Sequence, residues 1–372
     1  MTVTVSPCFT LVPTFECFNT CTYCDFKAQG AQDTQDGWLT PSAAAAVLAH
    51  AKLRSGWAQA PWREALGGAG LPLVPHAPPP LPHLPPAHAH LHSQLQLPLP
   101  AAPPPVSECL ILSGEVAPGS SRRAAWVQRL CQLAGTALEA GLLPHTNAGP
   151  LSEAEMSAVF EAGNVSMGLM MEQLVGEGRR LAVHKRAPSK WSSAARLGQL
   201  EQAGRLRIPF TTGMLVGIGE TQEERLGTVE RVGEVAARYG HVGEFILQPL
   251  SSAALDALDL PELVRATRAR LPPGVVLQIP PNLVVRPLKG GEWDFSLLLA
   301  CLEAGARDIG GVSPRDEVNS TSPFPPHPLL VRALADKGFS LRLRLPLYKE
   351  HYPWVRASAA RDALEMWRRA GR

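Results

Sequence analysis

The chain has 372 residues, with 35 basic and 33 acidic side chains and a formal net charge of +2 at pH 7. That length supports one large domain or two medium ones, and the near-balance of charge gives no electrostatic reason to expect nucleic acid or an anionic membrane as partner. No run of about 18 uncharged apolar residues suggests a membrane span, and the opening MTVTVSPC has the pattern of neither a secretory signal nor a transit peptide.

In chain order, Phe9 to Phe15 reads as a strand and Pro41 to Leu53 as an alanine-rich helix. Cys109 to Leu112 is a second strand, followed by a helix from about Arg122 to Glu139. Leu142 to Asn147 is strand-like, and Ser152 to Phe160 opens as a helix with Ser152 and Glu155 spaced for a capping box. Val165 to Met170 is a fourth strand, with a helix near Ser192 to Ala203. Phe210 to Val216 is a fifth, Gln222 to Tyr239 a helix, and Glu244 to Leu247 a sixth strand. Val275 to Ile279 and Ile309 to Val312 are weaker strand signals. This alternation predicts an α/β fold, a closed or partial (βα) barrel of parallel strands, with chemistry at the carboxyl ends of the strands.

Residues 71–105 break the pattern, with thirteen prolines and five histidines in 35 residues. Proline removes backbone donors, so an extended, low-complexity insertion is expected. His83, His88, His90 and His92 are read as solvated rather than as a metal site, because nothing rigid fixes their geometry. The barrel with its C-terminal extension is assigned to 1–354, and 355–372 to a terminal helix or tail.

Seven cysteines are present, three of them in Cys17-Phe-Asn-Thr-Cys21-Thr-Tyr-Cys24 after the first strand. Such crowding in a large chain reads as metal ligation in a reducing compartment, the cytoplasm or a plastid, rather than as a disulfide framework. Iron–sulfur clusters normally take four thiolates. A compact set of three leaves one iron of a [4Fe-4S] cluster open, and the amino and carboxylate groups of S-adenosylmethionine (SAM) can chelate it. Structural zinc would want a second Cys or His pair, and none follows at a usual spacing. Cys8, Cys109, Cys131 and Cys301 stand alone and read as structural.

From Phe9 onward the chain resembles the radical SAM superfamily. Its blocks TLVPTFECFNTCTYCDF, LPHTNAG, SMGLMME, PFTTGMLVGIGET, QIPPNL, GGVSP and RLPLYKEHYPW are similar to 7,8-didemethyl-8-hydroxy-5-deazariboflavin (FO) synthase, the CofG-type subunit. The resemblance implies a TIM-barrel-like radical SAM core with Cys17, Cys21 and Cys24 as cluster ligands. It implies SAM contacts from Tyr23, from Ser113, Gly114 and Glu115, from Glu172, and from Val216, Gly217 and Gly219 at the fifth strand's end. His145, Thr146 and Asn147 are candidates for SAM or substrate, with a structural role for His145 equally open. His184 with Lys185, Gln248 and Asn282 are candidates for a polar substrate ring. Ile309 departs from a tryptophan common at that position, which would change the pocket if that tryptophan touches substrate.

The implied reaction is ammonia-eliminating ring closure of the hydroxybenzyl adduct of 5-amino-6-(D-ribitylamino)uracil. With only one cysteine triad, the tyrosine-joining activity is assigned to a separate partner chain, and a ferredoxin or flavodoxin to the role of electron donor. The alternatives are a sister radical SAM enzyme, such as the tyrosine-joining subunit or a menaquinone-pathway enzyme, and a non-catalytic homologue using the Pro/His segment for interaction.

Overall fold

β1 (Thr2–Leu11) is the strand on which the fold closes. The computed structural model describes residues 1–25, 37–54, 84, 88–89, 91, 105–176, 178–250, 255 and 258–371. From β1 the sheet runs through β2 (Glu108–Leu112), β3 (Leu143–Asn147), β4 (Ser166–Gly168), β5 (Phe210–Val216), β6 (Val242–Pro249), β7 (Val276–Gln278) and β8 (Asp308–Val312). Every neighbouring pair is parallel, and β8 returns to β1 with Thr4 opposite Asp308 and Pro7 opposite Val312. The TIM-barrel-like expectation holds, and the ring is closed rather than partial.

Parallel neighbours need crossovers. These carry α1 (Pro41–Arg54), α2 (Arg123–Glu139), α3 (Glu153–Glu161), α4 (Ser193–Arg205), α5 (Gln222–Tyr239), α6 (Leu260–Arg270) and α7 (Ser296–Glu303). α8 (His327–Asp336) then leads to β9 (Ser340–Leu343), which pairs with Thr2 to Val5 of β1, and α9 (Ser358–Arg369) follows. Trp126, Phe160, Phe210, Phe245 and Trp367 are fully buried in the main core. Each such side chain contributes roughly 1.5–3 kcal/mol by burial. The Ser152–Glu155 capping box forms, and Thr221 with Glu224 makes a second one at the start of α5.

The sequence reading names none of α6, α7, α8 and β9, and it parts from the structure at two further places. β1 begins seven residues before the expected strand and ends at Leu11, because Thr2 to Pro7 find partners in β8 and β9 that no local pattern announces. Within the proline-rich stretch, Leu84, His88 and Leu91 are buried rather than solvated. His88 Nε2 lies 2.8 Å from the Val12 carbonyl oxygen, with its ring 5.4 Å from that of Phe15. His83, His90 and His92 lie outside the described residues. Cys8, Cys109 and Cys301 are buried and Cys131 half-buried, consistent with packing roles. Among the described residues no helix is long and apolar enough to cross a membrane.

The amino end of the barrel is filled by charge. Arg344 donates to both oxygens of Asp308 (2.6 and 3.0 Å) and pairs with Glu244 at 2.6 Å. Thr4 donates to Asp308 and Ser6 to Glu108. His145 Nδ1 lies 2.7 Å from Ser166 Oγ, which donates to the Pro346 carbonyl at 2.7 Å. One guanidinium thus faces three buried carboxylates. Burial pushes the Glu244 carboxyl up to about 8 despite Arg344, and raises Glu108 as well.

A carboxyl raised on folding binds its proton more tightly in the native state. Its contribution is complete below the ordinary range near 4.5 and is lost as pH rises through about 8. Chemical denaturation of Glu244→Gln between about pH 5 and 9 should therefore show a flatter stability profile than the unaltered chain. Parallel profiles would rule out a proton on Glu244. Arg344→Met, which strips the buried Asp308 carboxylate of its counter-ion and Glu244 of its hydrogen-bonding partner, should cost about 3–5 kcal/mol at neutral pH.

Candidate active site

The loops after β1, β2, β3, β4 and β8, with the carboxyl ends of strands β5 and β6, surround a cavity of about 530 Å³. Its wall includes Cys17, Cys21, Cys24, Tyr23, Ser113, Gly114, Glu115, Asn147, Glu172 and Gln248, all anticipated from the sequence.

The cysteine loop leaves β1 and is held by backbone bonds on two sides. Phe18 N–H donates to the Glu115 carbonyl (3.0 Å), Thr20 N–H to Arg186 (2.6 Å) and Thr22 N–H to Val183 (3.2 Å). The Glu115 N–H and Asn19 Nδ2 donate to Cys17 Sγ at 3.4 and 3.8 Å. Burial pushes the Cys21 thiol up to about 11, with Lys190 pulling the other way. Among the described residues no three His, Cys, Asp or Glu side chains converge on a single ion point. The three thiols instead share one cavity wall, as suits a cluster in which each sulfur binds a different iron. The donor set fits such a cluster.

Charge at the cavity comes in matched pairs. Glu115 takes hydrogen bonds from Arg196 Nη2 and, at 2.9 Å, from Asn19 Nδ2, with Lys190 Nζ 3.8 Å away. Glu172 pairs with Lys190 and accepts from the Tyr23 hydroxyl at 3.0 Å. Burial alone would raise both carboxyls. Arg196 and Lys190 outweigh it, holding Glu115 below the usual range and Glu172 at about 2. Glu172 sits at φ 62° in the left-handed region, which costs a non-glycine residue about 1–3 kcal/mol. Its carbonyl is fixed there by the Leu215 N–H at 3.1 Å. Two carboxylates interleaved with two cations match the zwitterionic end of an amino acid.

Other candidates stand elsewhere. Strand side chains alternate, and Leu215, not Val216, faces the cavity. Val216 is in the main core. Gly217 and Gly219 form a turn at φ 86° and 99° in which the Gly217 and Ile218 N–H groups grip Glu220, both at 2.8 Å. These three residues do not reach the cavity wall. His145 shares the inward face of β3 with Asn147 but lies a layer lower, on Ser166, where burial depresses its imidazole to about 3. Thr146 points the other way and donates to Asn164 Oδ1 at 2.7 Å. His184 stands behind Tyr23, its Nε2 3.1 Å from the hydroxyl, and Lys185 is exposed. Asn282 is buried off the cavity against Asp316, at 2.9 Å. Ile309 is in the core, so its departure from tryptophan does not alter the wall.

Asn19, Lys190 and Arg196 were not anticipated. For Arg196 a signal existed: Arg196, Gln199, Leu200 and Ala203 lie on one buried helical face, and an arginine there demands a buried partner.

Gly114 has no room for a side chain. A Cβ there would overlap the Glu16 carbonyl oxygen and lie 2.9 Å from Cys17 Cβ, so the first cysteine would have to move. Gly114→Ala should lower iron and sulfide per chain after anaerobic reconstitution by several-fold. Gly119→Ala, with nothing within 4 Å, should leave both unchanged. Equal loading of the two variants would contradict this packing.

No family model matches the chain. The 7,8-didemethyl-8-hydroxy-5-deazariboflavin synthase of Thermosynechococcus vestitus is 42% identical over 363 residues, covering 95% of this chain and 95% of that protein. The protein of the same name from Synechococcus elongatus is 42% identical over 356 residues, covering 93% of this chain and 86% of the relative. Among solved structures, the FeFe-hydrogenase maturase HydG from Carboxydothermus hydrogenoformans aligns with a TM-score of 0.59 at 14% identity, covering 99% of this chain and 76% of that one. At that identity the likeness speaks to the fold.

Proposed function

The chain belongs to the 7,8-didemethyl-8-hydroxy-5-deazariboflavin synthase family of radical SAM enzymes, and we propose that it catalyses the ring-closing half of deazaflavin formation. Its substrate is the hydroxybenzyl adduct of 5-amino-6-(D-ribitylamino)uracil, and ammonia is released. The observation that carries this reading is the shared cavity, where three thiols stand beside two buried carboxylate–cation pairs.

Cys17, Cys21 and Cys24 would hold a [4Fe-4S] cluster with one iron left open. When bound, the cluster and SAM supply a 5′-deoxyadenosyl radical able to take a hydrogen atom from an organic substrate. Glu115 receives an ammonium group, while Arg196 and Lys190 receive a carboxylate, so an amino-acid end is oriented toward the thiols. Tyr23, fixed by Glu172 and His184, forms the adjoining wall. Asn147 and Gln248 end β3 and β6 on the cavity, where their amides can bond a uracil ring. Leu169, Met170, Leu215, Ile246 and Val318 line the remainder and exclude water from the reacting atoms. The tyrosine-joining enzyme is a separate chain, the electron donor is a ferredoxin or flavodoxin, and the setting is a reducing compartment.

The test is an anaerobic assay of the iron-reconstituted protein with SAM, dithionite and the adduct. 5′-Deoxyadenosine is followed by chromatography and FO by fluorescence. Both should form and both should vanish in Cys21→Ala. Deoxyadenosine without FO would redirect the search for substrate, and neither product from a cluster-loaded chain would end the synthase reading.

A further inference from the structure

Val318 is the one cavity-lining residue beyond β6 among the described residues, and it lies in the connection between β8 and α8. Asp316 organises that connection. Its Oδ1 accepts the Val318 and Asn319 N–H groups, each at 2.9 Å. Its Oδ2 accepts from Asn282 Nδ2 and Asn319 Nδ2, again each at 2.9 Å. Asn282 comes from the one-turn helix Pro281–Val284 after β7 and also donates to the Ser322 carbonyl at 3.3 Å. The carboxylate therefore ties the segment to itself and to the neighbouring strand's end.

The same segment grips the cysteine loop. Asp25 N–H donates to the Val318 carbonyl at 3.3 Å, and Ser320 donates its hydroxyl to Asp25 Oδ2 at 3.1 Å. Asp25 directly follows Cys24. We propose that Asp316 is a positioning residue, whose carboxylate latches the connection after β8 onto the cysteine loop so that Val318 completes the cavity wall beside Cys24 and Asp25. The role of the wall in catalysis rests on the function proposed above, whereas the latch itself does not.

Aspartate is needed for a chemical reason. Four donors converge on two oxygens, and an ionised carboxyl accepts all four. An amide accepts at one end only, so Asp316→Asn loses two of the four bonds whichever way it is turned. Hydrogen exchange, read by mass spectrometry on the full chain, tests this without substrate. In Asp316→Asn the Asp25, Val318 and Asn319 amides should exchange roughly a hundredfold faster or more, as expected for two lost charge-assisted bonds, with the β8 amides unchanged. Ser320→Ala should accelerate Asp25 by a smaller factor and leave Val318 and Asn319 as they were, since Asp316 keeps its bonds. With the adduct as substrate, Asp316→Asn should raise KM several-fold with a smaller change in kcat, at unchanged iron content.

Unaltered exchange at Asp25 in both variants overturns the latch, as does uniform acceleration through β8. If Asp316→Asn does not fold, the Ser320→Ala exchange decides alone. A chain that makes no FO but shows the local acceleration would remove the synthase reading and leave the latch standing.

Discussion

Glu115 and Glu172 lie just beyond β2 and β4 with 9% and 7% exposure, and the mouth of the barrel is arranged around their neutralisation. An uncompensated buried carboxylate costs several kcal/mol, so the chain must bring cations to both. It does so from one connection. Lys190 comes from the 3-10 turn Pro188–Lys190 and Arg196 from the first turns of α4, both between β4 and β5. Because these two side chains must reach inward, the path of residues 172–196 is largely dictated. That path then supplies the Val183 and Arg186 carbonyls on which the cysteine loop hangs. The placement of the thiols is thus downstream of the two ion pairs. Asn19 ties the two together, donating to Glu115 while its carbonyl oxygen accepts the Ser189 N–H at 3.2 Å.

The opposite end of the barrel meets the same electrostatic problem and solves it differently. At the mouth two carboxylates meet two cations, and both acids are held ionised. At the floor three carboxylates share Arg344, so burial prevails and Glu244 keeps a proton to about 8. Arg344 belongs to the segment after β9, and its N–H also donates to the Val5 carbonyl at 2.8 Å. The C-terminal stretch therefore plugs the barrel from below. A fixed floor under His145 and Ser166 leaves the loops at the other end to carry chemical specificity, as barrels of this kind generally do.

Much of this architecture was legible because its signals are local. The runs at β5 and α5 carry their own periodicity and caps, and their limits match the sequence reading residue for residue. The triad was legible because three thiols crowded into eight residues point to a shared metal group without help from the rest of the chain. What escaped was non-local. The first half of β1 is defined by β8 and β9, some 300 residues away in sequence. Val216 and the following glycines were read as a ligand-facing stretch, yet alternation turned Leu215 inward and left the glycines to a turn around Glu220. The sequence reading names Lys185 and not Lys190, since nothing in a run of polar residues says which one a 3-10 turn will point inward.

The cavity is asymmetric, and the asymmetry constrains any ligand. The charged pairs and the thiols sit on the side built by the loops after β1, β2 and β4. The wall built by β5 and β6 offers Leu215 and Ile246 with Gln248 beside them, while Val318 closes the wall next to Cys24 and Asp25. A ligand with a zwitterionic end and an apolar or flat remainder can satisfy both sides in only one orientation, since the reverse would bury its charges against leucine and isoleucine at several kcal/mol each. Orientation is therefore set by desolvation before any specific hydrogen bond forms. A single polar amide on the apolar side can then discriminate among ring systems, because an unmatched partner leaves Gln248 buried without a bond.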